Sequence, residues 1–192
     1  PPPGDACEVP RLGAKLSSTY NTDLEADNAI DGNIDTLCGS NLELEPWLSV
    51  QVPADTKVGY VVIYNRNDTD TADGRAAQAW LSPFEVYVST SEGDTSASAT
   101  KCTTGPIVLP EPIGVGPYAV NCDGAEGAYV TLKLVSTEAT YLTISEMDIY
   151  GPDGAFPPPS PPALPPPQPA SHVTIVTALL IPFPPPAPAQ AC

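Results

Sequence analysis

From Cys7 to Gly151 the sequence alternates with a period of two and sustains no helical period, which confines this part of the chain to strands. The segments are Trp47 to Val52, Gly59 to Tyr64, Phe84 to Ser89, Ala128 to Leu134 and Tyr141 to Tyr150, each rich in Val, Ile and Tyr. Gly, Pro, Asp and Thr punctuate the gaps, so an all-β sandwich with long loops is expected. A chain of 192 residues suffices for one such domain, which buries roughly two thirds of its unfolded surface.

The 26 prolines bound that domain, because most of them cluster at the two ends. We read residues 1–6 as a proline arm, 7–151 as the sandwich, 152–170 as a proline-rich linker and 182–192 as a proline-rich tail. Pro157-Pro158-Pro159-Ser160-Pro161-Pro162 and Pro165-Pro166-Pro167 cannot donate to a ladder, and this composition favours a semi-rigid polyproline II spacer. Between linker and tail, residues 171–181 contain an uncharged run of high β propensity marked by His172, Val173, Ile175, Leu179 and Ile181. Such a strand needs an edge to pair with, either in its own sheet or in a neighbouring copy, as in donated-strand assembly.

Charge and cysteine usage narrow the function. Seven Lys and Arg stand against 23 Asp and Glu, a formal net charge of -16, so nucleic acid and acidic membranes are poor partners. No apolar run reaches the roughly 20 residues of a membrane span, so no membrane insertion is expected. Five cysteines without a C-x-x-C pair, with His172 the one histidine, favour disulfides in an oxidising, extracellular compartment over a zinc site. The opening Pro1-Pro2-Pro3 reads as the start of a processed product or an excised piece. The chain holds no Gly-x-Ser-x-Gly elbow or phosphate loop, and no carboxylate pair is visibly placed for acid–base work, so an enzyme is not expected.

One stretch has the makings of a hard-cation loop. In Ala26 to Asn33, the side chains of Asn28, Asp31 and Asn33 surround Gly32, a pattern that fits calcium or an Asx-stabilised turn. Asp68 to Gly74 is a second acidic insertion, off the calcium-loop spacing by one residue and better read as solvated. Asn67-Asp68-Thr69 is an N-glycosylation sequon at Asn67.

Several motifs in order resemble the discoidin family, known also from coagulation-factor C-type domains, and within it the F-type lectins or fucolectins. They are Leu16-Ser17-Ser18-Thr19-Tyr20, Asn28-Ala29-Ile30-Asp31-Gly32-Asn33, Pro46-Trp47-Leu48-Ser49-Val50, Tyr64-Asn65-Arg66-Asn67-Asp68, Leu81 to Val88 and Ile144 to Ile149. The resemblance implies a jelly-roll-like β-sandwich with calcium held by Asn28, Asp31, Asn33, a carbonyl near Leu37, Ser145 and Glu146. It also implies a sugar site at Ser40, Arg66, Asp68, Arg75 and Trp80. This sequence departs from the family there: Gly39-Ser40-Asn41 replaces the expected histidine, and Trp80 stands where a second arginine belongs. The resemblance further implies a Cys102–Cys122 disulfide. Cys38 faces Ser145 instead of its family partner, so it pairs with Cys7 or stays free, and Cys192 is left odd. The proline runs resemble hydroxyproline-rich glycoproteins of plant and algal walls, which implies hydroxylated, glycosylated prolines.

The sequence thus points first to an extracellular structural glycoprotein, stapled by calcium, whose arm and strand join copies of itself head to tail into a filament or matrix. The alternative is a calcium-dependent, carbohydrate-binding lectin whose partners are glycans.

Overall fold

The computed structural model describes residues 7–68 and 77–152. The backbone divides after Pro159, and every described residue lies in the first of the two units. The arm at 1–6, the linker beyond Pro152, the strand at 171–181 and Arg75 lie outside the described residues.

Among the described residues there are seven strands: β1 (Gly13–Leu16), β2 (Cys38–Gly39), β3 (Trp47–Asn65), β4 (Phe84–Ser89), β5 (Thr100–Lys101), β6 (Tyr118–Leu134) and β7 (Thr143–Tyr150). Two single-turn 3-10 helices, Ala26–Ala29 and Gln78–Leu81, interrupt them. All pairings are antiparallel, in the order β2-β7-β3-β6-β4-β5 with β1 on β3. The all-β expectation holds, and the architecture is the discoidin-like jelly roll.

Two segments expected as separate strands, Trp47 to Val52 and Gly59 to Tyr64, are one continuous strand, β3. Pro53 causes no break, because it falls where the ladder with β6 already shifts register, between Gln51 and Thr56. A residue without an N–H costs nothing at a position where no ladder bond is made. β6 likewise starts ten residues ahead of the expected Ala128, at Tyr118. The two long strands therefore serve both layers. Their outer halves, Trp47–Gln51 with Tyr129–Lys133, carry β1, β4 and β5, and their inner halves, Tyr60–Ile63 with Tyr118–Asn121, carry β7 and then β2.

Alternation supplies the core. Leu48, Val50 and Val52 of β3 are buried, as are Val86 and Val88 of β4, Val130, Leu132 and Leu134 of β6, and Ile144, Met147 and Ile149 of β7. Backbones also approach closely: a Cβ on Gly127 would lie 2.5 Å from the Ser89 carbonyl oxygen, so glycine is required there.

The Cys102–Cys122 disulfide forms as the resemblance implies and ties the end of β5 to β6. Among the described residues Cys7 and Cys38 form no disulfide, and Cys192 lies outside them. Burial pushes the Cys38 thiol up to about 12, so it is an apolar filler and not a nucleophile.

Candidate functional site

Loops at one end of the sandwich enclose a cleft of about 280 Å³ lined by Tyr20, Leu24, Ser40, Arg66, Trp80, Tyr141 and Thr143. Each wall has a structural cause. β3 ends at Asn65, which is fully buried and donates through Nδ2 to the carbonyls of Gln78 (2.9 Å) and Gly114 (3.1 Å), while its Oδ1 accepts from the Arg66 N–H (2.9 Å). Gln78 returns a bond to the Arg66 carbonyl at 2.9 Å. This buried knot fixes the Gln78–Leu81 turn and so delivers Trp80 to the cleft beside Arg66.

The aromatic wall is assembled from three distant segments. Trp80 lies against Tyr141 with ring centroids 5.1 Å apart, and Tyr20 meets Tyr141 edge-on at 6.0 Å. Trp80 is 38% exposed and Tyr20 55%, so both keep surface free for a ligand.

The polar groups are few and oriented. Arg66 donates through Nε (2.7 Å) and Nη2 (2.5 Å) to the two Asp68 oxygens, a bidentate fork that holds the guanidinium, and its Cζ sits 5.7 Å from the Trp80 ring. The Arg66 hydrogen bond keeps the Asp68 carboxyl below its usual range, so the fork stays charged throughout the neutral and mildly acidic range. Arg66 Nη1 has no hydrogen-bond partner among the described residues. Thr143 lines the cleft, but its Oγ1 is buried and has no hydrogen-bond partner among the described residues, although nearly all such groups in folded proteins are paired.

Of the residues expected at a sugar site, Ser40, Arg66 and Trp80 line this cleft, Asp68 braces it, and Arg75 lies outside the described residues. Ser40 plays a structural part: its Oγ accepts from Leu142 N–H and donates to the Asn41 carbonyl, both at 2.9 Å. Sequence reasoning missed Tyr20, Leu24, Tyr141 and Thr143. Thr143 begins β7, where alternation marked it as just another strand residue. The Asn67 side-chain nitrogen, the attachment point of the sequon, donates to Asp35 at 3.0 Å.

The residues expected to hold calcium gather at a neighbouring corner. Gly32 N–H donates to Glu146 Oε2 at 3.1 Å, which brings β7 to the loop, and Asn28 Nδ2 donates to the Leu37 carbonyl at 2.8 Å. The Asp31 carboxylate accepts from the Asn33 N–H and the Thr36 hydroxyl, both at 2.8 Å. Two carboxylates with amide and main-chain oxygens suit a hard cation by donor type. Among the described residues no group of three or more His, Cys, Asp or Glu is placed to hold a metal, so carbonyls would supply the rest of the donors. Ser145 departs from the set through its side chain. It is the extra residue where β7 shifts register against Tyr64 and Asn65, and its hydroxyl donates to the Asn65 carbonyl at 3.1 Å. Arg11 meanwhile pairs with Glu146, with Asp148 at 2.8 Å and with Glu8 at 3.0 Å, so the buried Glu146 already has a cationic partner. Burial raises the Glu146 pKa despite that pairing.

A family model described as NedA-like, galactose-binding domain, of the F5/F8 type C group, matches residues 28–132. Solved structures share the fold. The lectin domain of lectinolysin complexed with Lewis B antigen is 23% identical, with a TM-score of 0.56 over 72% of this chain and 92% of that one. A fucolectin from striped bass (Morone saxatilis) serum is 24% identical, with a TM-score of 0.59 over 72% of this chain and 46% of that one. The family 32 carbohydrate-binding module of NanJ from C. perfringens, solved with galactose, is 19% identical, with a TM-score of 0.56 over 74% and 97%. No curated protein sequence matches the chain.

Proposed function

Because the chain belongs to the F5/F8 type C family of NedA-like, galactose-binding domains, we propose that it is a carbohydrate-binding module that holds one neutral sugar ring in the Tyr20–Trp80–Tyr141 cleft. The observation that carries this reading is the combination of an exposed aromatic wall with the Arg66 guanidinium held beside it. A pyranose presents an apolar face to stack on an indole and a rim of hydroxyls to meet fixed polar groups. Trp80 and Tyr141 supply the stack, and Arg66 Nη1 supplies a polar partner. Among the described residues no carboxylate pair lines the cleft, and the role proposed is binding without turnover. The solved relatives are described as lectins or carbohydrate-binding modules, which supports the same reading and an extracellular setting.

Calcium belongs to this proposal as a staple of the adjoining loop. Asn28, Asp31, Asn33, the Leu37 carbonyl and Glu146 would hold it, with Arg11 competing for Glu146. When bound, the ion supplies electrostatic cross-linking of the first loop to β7.

Head-to-tail assembly is a second reading carried by the sequence of residues 171–181, which lie outside the described residues. An uncharged β-prone strand beyond a proline spacer supports it.

Titration calorimetry of the whole chain with galactose and with fucose tests the carbohydrate reading. Binding should be weakened at least about tenfold in Trp80→Ala and in Arg66→Ala, the order expected for one stacking or charge-assisted contact. Absence of heat with both sugars and with a broad panel of neutral glycans sinks it.

A further inference from the structure

A second hollow adjoins the cleft. It measures about 160 Å³ and is lined by Ala79, Trp80, Ser82, Pro83, Leu134, Val135, Ser136 and Thr140. Trp80 lines both hollows, and the consecutive residues Thr140 and Tyr141 belong to one each. Trp80 and the Thr140–Tyr141 step therefore form the ridge between them.

The two hollows differ in chemistry. Beside the largely aromatic first one, the second offers three hydroxyl side chains. The Ser82 hydroxyl accepts from Leu109 N–H at 3.0 Å and has its own proton to give. Ser136 is tied to its own loop through the Glu138 main chain at 2.7 Å, and the Thr140 hydroxyl has no hydrogen-bond partner among the described residues. Size is informative as well. Pockets for small ligands span roughly 300 to 1,000 Å³, which neither hollow reaches by itself and the two side by side do.

Charge restricts what can lie there. Among the described residues Arg66 is the one cation lining either hollow, and its charge is met by Asp68. The chain as a whole carries a formal net charge of -16, so an anionic glycan meets repulsion with no unpaired cation to receive it.

From these observations we infer that the two hollows are successive subsites for an uncharged oligosaccharide draped over Trp80. The terminal ring sits in the Tyr20–Tyr141 cleft, and the next ring sits against Ser82, Ser136 and Thr140. The inference rests on the carbohydrate reading above and extends it from one sugar to the class of chain recognised. Trp80 then contacts both rings, one on either side of the ridge, and the second hollow sets specificity for the penultimate sugar and its linkage.

The test uses the full chain on a glycan array, followed by calorimetry with the best neutral hit, its terminal monosaccharide, and a sialylated or uronate-bearing counterpart. The neutral oligosaccharide should bind at least tenfold more tightly than its terminal sugar, and the acidic counterpart should not bind. Ser136→Tyr, which fills the second hollow, should bring the oligosaccharide down to monosaccharide affinity while leaving the monosaccharide unchanged. Thr140→Leu, a smaller change, should shift the same ratio in the same direction if the tyrosine variant fails to fold. Equal affinity for oligosaccharide and monosaccharide overturns the inference while leaving the one-sugar reading intact. So do preference for the acidic glycan and equal losses for both ligands in these variants. If no sugar binds at all, the carbohydrate reading falls and takes the second subsite with it.

Discussion

Leaving a hydroxyl buried and unpaired costs a fold about 1–3 kcal/mol, and Thr143 Oγ1 carries that cost in the wall of the cleft. Valine has the same shape without the hydroxyl. Thr143→Val should therefore leave stability unchanged or raise it by about 1 kcal/mol, read from thermal or urea unfolding. Because that oxygen has no exposed surface, the same variant should leave sugar binding unchanged. A several-fold loss of affinity in Thr143→Val would show that the hydroxyl becomes exposed when a sugar enters the cleft. Ser40 makes the opposite case. It stands where the family pattern has a sugar-binding histidine, yet both of its hydrogen bonds serve the local backbone. The sequence is expected to depart from the family at this position, and in the structure the hydroxyl bonds the backbone on both sides.

At the scale of elements, the cleft depends on how the end of β3 is anchored. Asn65 joins three segments: the Gln78–Leu81 turn, the loop at Gly114, and Arg66 through its own side-chain oxygen. Its main chain adds bonds from Ser145 and to Val115. Removing this side chain leaves buried carbonyls and an N–H without partners, at about 3 kcal/mol for the set. Asn65→Ala should lower stability by about that amount and, because Trp80 rides on the Gln78–Leu81 turn, should also abolish sugar binding at temperatures where the variant is still folded. Circular dichroism melting and calorimetry on one sample separate the two effects. Retained affinity in a folded Asn65→Ala protein would show that Trp80 is positioned by other contacts.

For the whole molecule, charge and covalent architecture divide the labour. All 23 acidic residues precede Gly154, so the folded domain carries the repulsion while the sequence beyond it has no Asp, Glu, Lys or Arg and only His172 as a titratable base. Copies of such a domain resist face-to-face approach, and a neutral strand does not share that penalty. Deleting residues 171–181 should leave the melting temperature of the domain unchanged while abolishing any polymers seen by electron microscopy. Calcium should act on the other property, raising the melting temperature of full-length and truncated protein alike, with reversal by a chelator. Polymers that persist after truncation would end the donated-strand reading. A melting curve indifferent to calcium and chelator would show that Arg11 is cation enough for Glu146.

Period-two alternation and turn residues determined the all-β class, the location of five strand segments and most of the core, because burial of one strand face is a local property written every second residue. The motif series also determined the family, and with it the Cys102–Cys122 bridge. The short strands β1, β2 and β5 left no such trace, since two to four residues cannot carry a period. The passage of β3 through Pro53 was hidden as well, because a proline reads as a stop unless the register break opposite it is known. The cleft was legible in Arg66 and Asp68, which lie in a recognisable motif, and in Ser40 and Trp80, which stand where the sequence departs from the pattern. Tyr20, Leu24, Tyr141 and Thr143 entered it through tertiary structure alone, for a physical reason. A binding wall is made where the ends of strands distant in sequence meet, and neither the exposure of an aromatic ring nor the isolation of a buried hydroxyl is encoded by its neighbours along the chain.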